Sequence, residues 1–208
     1  PTVPAPEFPD DPAALAALDE LAVTLTKNDA GSVIAVDATA FEITNEQFQH
    51  VSGLPYLERV RAKSTKLNDE ALTALLSLAF LEYIELENTG ITDAGAETVA
   101  QMPSLKIVNL RRYEITGAAV APLFTLPNLE QLLLLYTNVD DDGLSALSEP
   151  KKRKVLDLRG CFQISDAGLE HLLPLANLRR LKIRSPPVSD GGMELVSSLT
   201  GLTSLVLQ

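Results

Sequence analysis

The chain repeats itself every 24 residues, and no other property restricts its fold as much. Units open at Val33, Leu57, Leu81, Leu105, Leu129, Arg153, Leu178 and Leu202, with one interval of 25 between Arg153 and Leu178. Seven complete units and the start of an eighth fill residues 33–208. The fourth position of each unit is apolar: Val36, Val60, Ile84, Val108, Leu132, Leu156, Leu181, Leu205. So is the sixth: Ala38, Ala62, Leu86, Leu110, Leu134, Leu158, Ile183, Leu207. Apolar residues two apart in a short run with polar flanks predict a half-buried strand. Five residues on, another apolar residue recurs as Ile43, Leu67, Ile91, Ile115, Val139 and Val188; Ile164 comes six on, which places the extra residue in 161–163.

The second half of each unit has helical spacing. Phe48, Val51 and Leu54 match Leu72, Leu75 and Leu78, then Val120, Leu123 and Leu126, then Leu169, Leu172 and Leu175; apolar residues at i, i+3 and i+6 form one buried stripe. The residue that opens this half is always a good N-cap: Thr44, Asn68, Thr92, Thr116, Asp140, Ser165, Ser189. Acidic residues follow in the first turn (Glu46, Asp69, Glu70, Asp93, Asp141, Asp142, Asp166, Asp190), where the helix dipole favours them. One strand and one helix per unit bury no core alone, but stacked neighbours do.

The segments LEYIELENTGITDAG at 81–95 and VLDLRGCFQISDAGLEHL at 155–172 resemble leucine-rich repeats. Their Thr/Ser-Asp-Ala-Gly flavour resembles the ribonuclease-inhibitor-like, cysteine-containing branch, found in bacterial repeat proteins and in the repeat portion of F-box proteins. The resemblance covers 33–208 and implies an α/β fold: a right-handed leucine-rich-repeat solenoid, or horseshoe, with a parallel concave β-sheet and convex helices. It implies little about function. The ninth position, often Asn or Cys in the family, is Thr65, Thr89, Thr137 and Cys161 here but Phe41, Tyr113 and Pro186 elsewhere, which puts the hydrogen-bonded turn in doubt at those three units.

Ahead of the solenoid, residues 1–11 carry four prolines and read as an extended, semi-rigid segment. Residues 12–32 read as a capping helix and turn. Asp11 caps the helix and Pro12 opens it, and the stripe Leu15, Leu18, Leu21, Ala22, Leu25 along PAALAALDELAVTLT suits a lid on the first unit. With about 30 residues and one clear helix, this segment is too small for an F-box. The chain begins with Pro1 rather than Met, which reads as a processed or trimmed product, and the eighth strand (Leu202, Leu205, Leu207) has no helix after it, which reads as truncation or a missing tail.

Composition excludes several classes. An apolar fraction of 46% and a mean hydropathy of +0.11 rule out a disordered polyelectrolyte, and no apolar run approaches the ~18 residues a membrane span needs. A single cysteine, Cys161, forms no internal disulfide, and with two histidines it leaves no His/Cys zinc cluster. The net charge of −11 argues against nucleic acid as a partner bound non-specifically by the whole chain, and the acidity of residues 1–29 argues against the N-terminal helix lying on an anionic membrane. Compartment stays open between the cytoplasm, which the lack of cystines fits, and export after removal of a targeting segment.

With positions 4 and 6 in the core, positions 3, 5 and 7 face an uncovered inner wall. Eight strands at ~4.8 Å make that wall roughly 34 Å long, enough for a protein interface. Its lanes hold eight basic and four acidic residues, against nine basic and 24 acidic in the rest of the chain. Arg59, Arg61 and Lys63 cluster on one strand and Arg180, Lys182 and Arg184 on another; Tyr83, Ile107, Leu133, Leu135 and Val155 lie between them, with Arg111 and Arg159 beside. Apolar residues rimmed by charge predict a protein-binding patch for a partner with an apolar centre and acidic flanks.

Other motifs read as structure. The basic run Lys151 to Lys154 falls in a unit junction, Cys161 at a strand–helix corner and His171 on a helix, and Asp140–Asp142 form a cap with its first-turn acids. Gly95, Gly143 and Gly168 share one repeat position and form no phosphate-binding loop. No catalytic residue, cofactor or metal is expected. The leading expectation is a non-enzymatic recognition scaffold. The alternatives are the targeting or substrate-recognition arm of a larger, potentially enzymatic protein, and a module that self-associates end to end through 202–208.

Overall fold

The computed structural model describes residues 7–111, 114–147 and 154–207. The start of the Pro-rich segment, Tyr113, the basic residues Lys151, Lys152 and Arg153, and Gln208 lie outside the described residues. Eight strands succeed one another in the sheet in chain order: β2 (Val33–Ala38), β3 (Arg59–Lys63), β4 (Tyr83–Glu87), β5 (Ile107–Arg111), β6 (Gln131–Leu135), β7 (Val155–Arg159), β8 (Arg180–Arg184) and β9 (Ser204–Leu207). All are parallel, and the register is set by the repeat: Val60 pairs with Ile84, Ile84 with Val108, Val108 with Leu132. Fourth- and sixth-position residues from Val36 to Ile183 are buried and belong to one continuous core.

The return segments are shorter than the periodicity predicts, because strand and corners leave room for only two or three turns. They are the α-helices α2 (Asn45–Phe48), α3 (Asp93–Val99), α4 (Val120–Phe124), α5 (Asp141–Leu144), α6 (Asp166–Glu170) and α7 (Asp190–Ser197), with 3₁₀ turns such as Asp69–Leu75 filling the same role. All seven expected N-caps accept a backbone N–H in the first turn, and Thr44 with Gln47 completes a capping box.

The first-turn acids do more than complement helix dipoles. Asp69 accepts hydrogen bonds from the N–H (2.8 Å) and hydroxyl (2.7 Å) of Thr92, the N-cap of the next unit. Asp93 holds Thr116 in the same way, Asp141 holds Ser165, and Asp166 holds Ser189. These two bonds keep the Asp166 carboxyl below the usual carboxylate range. The recurring glycine makes room for this spine. A Cβ on Gly95, Gly168 or Gly192 would lie 2.2 Å from an Oδ1 of Asp69, Asp141 or Asp166. The first unit has Asn45 at the place of the acid, bonded to Asn68, and the fourth has Gly117, where the backbones of Gly117 and Gly143 touch directly. At the corners, Ser64 and Ser185 donate to the carbonyls of Ile43 and Ile164. They sit one residue before the ninth position, so Pro186 at the ninth position is exposed in its unit.

The N-terminal end departs from the sequence reading. The helix α1 (Pro12–Glu20) is capped by Asp11 as expected, and buries Ala14 and Leu18. It stops at Glu20, with Leu21 as C-cap and Ala22 at φ 54°. Residues Thr24–Lys27 form β1, antiparallel to β2. Continuation of the helix to Thr26 is therefore corrected. Asn28 Oδ1 accepts from the N–H groups of Ala30 and Ser32 around Gly31 at φ 87°, and this hairpin turn captures the β-branched Thr24 and Thr26 for the sheet edge. The outer edge of β2 is thus paired.

Candidate protein-interaction surface

Positions 3, 5 and 7 lie on the face opposite the core. On β3 and β8 the burial pattern is exposed, buried, half-buried, buried, exposed, and on β4 and β5 the outward residues are half-buried. Parallel register at ~4.8 Å brings residues 24 apart side by side, and opposite charges meet there. Arg61 bridges Asp37 at 2.6 Å and Glu85 at 3.2 Å. Glu87 receives Lys63 at 3.7 Å and Arg111 at 3.3 Å. Asp157, fully buried, accepts from Arg159 Nε (2.9 Å) and Nη2 (2.8 Å), with Lys182 at 3.6 Å. Arg59 stacks over the Tyr83 ring at 4.9 Å, and the Tyr83 hydroxyl donates to Glu85.

Electrostatics follow this geometry. Burial works to raise the Asp37 and Glu85 carboxyls, but hydrogen bonds from Thr39 and Arg61 to the one, and from Tyr83 and Arg61 to the other, hold both below the ordinary range. Burial and the Glu85 acceptor push the Tyr83 phenol up to about 12. The hydrogen bonds to Asp157 raise the Arg159 guanidinium further.

The apolar centre is narrower than the sequence implies. Tyr83, Ile107 and Leu133 remain partly accessible, but Leu135 and Val155 are only 6% and 5% exposed. Neither belongs to the core cluster. Each has longer neighbours in the sheet, Arg111 beside Leu135 and both Gln131 and Arg180 beside Val155. Their place as open contact residues is corrected accordingly. Arg180 and Arg184 are exposed and Lys182 is half-buried. One lane residue stands outside the candidate contact set: Asn109, between Glu85 and Leu133, has a buried Oδ1 with no hydrogen-bond partner among the described residues.

Cys161 is buried, and its Sγ donates to the Leu134 carbonyl at 2.9 Å and lies 3.3 Å from the Thr137 hydroxyl. Burial raises its thiol, so the group is structural rather than nucleophilic. His171 is the C-cap of α6. Among the described residues no cluster of His, Cys, Asp and Glu could hold a metal ion, and no helix is long and apolar enough to cross a membrane.

Comparison with known proteins agrees with this architecture. Residues 77–100 match the "Leucine Rich repeat" family model. No curated protein matches the chain. An internalin from Listeria monocytogenes is 24% identical, with a TM-score of 0.63 over 83% of this chain and 48% of that one; the chain thus spans about half its length. A chain of the yeast Rad7–Elc1 complex (16% identity, 78% and 59% coverage, TM-score 0.37) and one of the TLR13–ssRNA13 complex (17%, 83% and 32%, 0.47) also align, but only the internalin bears on the fold. The family match is to the repeat at large, not to its ribonuclease-inhibitor-like branch in particular. A matched repeat at 77–100, eight parallel strands in one register and an internalin-like frame give this chain the fold of a leucine-rich-repeat solenoid.

Proposed function

We propose that the chain is a non-enzymatic recognition scaffold that seats a polypeptide partner on its concave sheet. The observation that carries this reading is the half-accessible band of Tyr83, Ile107 and Leu133 on the face turned away from the core, with charged strands on either side. Such a band fits a partner with an apolar centre and acidic flanks. The test is capture with the chain as bait, followed by hydrogen-exchange footprinting. The expected footprint lies on β3 to β8, and Leu133→Glu weakens capture at least about tenfold without changing the far-UV CD spectrum. A footprint on the convex side, or capture indifferent to Leu133→Glu, overturns the reading.

A further inference from the structure

Two strands carry the same triad of outward cations in opposite settings. On β3 the row is Arg59, Arg61, Lys63, and on β8 it is Arg180, Lys182, Arg184, with identical burial patterns. The β3 triad is neutralised from within: Asp37 on one side and Glu85 and Glu87 on the other hold Arg61 and Lys63, and Arg59 lies on Tyr83. The β8 triad is not. In the ladder Arg180 stands between Val155 and Ser204, Lys182 between Asp157 and Val206, and Arg184 beside Arg159. Asp157 is the sole carboxylate among these neighbours, and Arg159 already occupies it with two hydrogen bonds. Among the described residues, no ion pair and no side-chain hydrogen bond reaches Arg180 or Arg184.

We propose that β8 is the recognition strand for a carboxylate-rich, extended segment of a polypeptide, with acidic residues at alternate positions. This rests on the concave-face reading above and assigns the acidic contact to one end of the sheet. Charge complementarity carries it: four cations (Arg159, Arg180, Lys182, Arg184) surround one saturated carboxylate, in a chain whose net charge is −11. Spacing supplies the rest. Alternate residues on a strand stand ~6.6 Å apart, so the triad spans ~13 Å, and an extended peptide lying along β8 presents alternate side chains at that same interval. The contacts at Arg180 and Lys182 pair a carboxylate with a lane cation flanked by Val155 or Val206, where displacing water strengthens the pair. The β3 triad offers no equivalent, because a ligand there competes with acids already in place.

The test uses the isotope-labelled chain and a short peptide alternating glutamate with glycine. Amide shifts are expected at Arg180, Lys182 and Arg184, fading as salt rises. The double variant Arg180→Ser, Arg184→Ser is expected to bind about tenfold more weakly, while Arg61→Ser with Lys63→Ser leaves affinity unchanged. Both pairs are at the surface, and CD confirms folding. Equal losses from the two double variants, equal binding of a peptide with its glutamates contiguous, or tighter binding of a thymidine oligonucleotide at the same strand overturns the proposal. If the alternating peptide fails to bind while a captured partner still protects the concave strands, this inference falls and the scaffold reading stands. Failure of both removes both.

Discussion

Leu134→Ala is expected to lower stability by about 2–5 kcal/mol, and Leu133→Ala, one residue earlier on the same strand, by no more than about 1 kcal/mol. Leu134 is 0% exposed and belongs to the core cluster. Its loss removes transfer free energy and leaves a cavity in the core. Leu133 projects the other way, toward the concave face, and its truncation leaves a shallower surface rather than a void. Leu132→Ala should follow Leu134→Ala, since Leu132 is 1% exposed. Denaturant titration of the three variants checks the alternation directly. Similar costs at 133 and 134 would mean that the inner and outer faces of β6 have been exchanged, and the proposed interface would go with them.

Gly143→Ala is expected to cost about 1–3 kcal/mol, although alanine is the better helix former by about 1 kcal/mol. A Cβ there would come 2.3 Å from the Gly117 Cα and 3.0 Å from its carbonyl oxygen. These atoms are backbone, so neither can rotate away, and the fourth and fifth units would have to part. Gly191 is the control. Its added Cβ would meet nothing closer than an Asp166 carboxylate oxygen at 3.3 Å, and Gly191→Ala is expected to be neutral or mildly stabilising. Thermal melts of the pair separate the two cases: a Gly143→Ala protein as stable as its parent would show that the contact between units is loose.

Periodicity made most of the fold legible. Strand positions, core lanes and all seven N-caps recur at fixed offsets, so each unit corroborates the others. The antiparallel β1 was hidden because Leu18, Leu21 and Leu25 keep helical spacing across its start. The competing signal was the Asn28–Gly31 turn, with threonines alternating before it. Which residues stand on the face opposite the core was legible, but the balance of charge among them was not. Lane assignment brings out Arg61 and Lys63, yet their neutralisation depends on pairing across strands, as Asp37–Arg61–Glu85 shows. Opposite charges 24 residues apart were the available signal. The coverage of Leu135 and Val155 had none, since alternation says which way a side chain points and not how tall its neighbours stand.

The carboxylate spine also sets rules of succession. Each acid reaches the hydroxyl and N–H of the N-cap in the following unit, so the spine joins the solenoid link by link. Duplicating or excising one whole unit therefore preserves the spine when an aspartate-bearing unit is followed by one whose N-cap is serine or threonine. The fourth unit obeys a different rule: with Gly117 at its link it meets its successor there by close backbone contact with Gly143. Recombination among these units is thus directional, and the 117–143 junction is where a shuffled array would first fail to close.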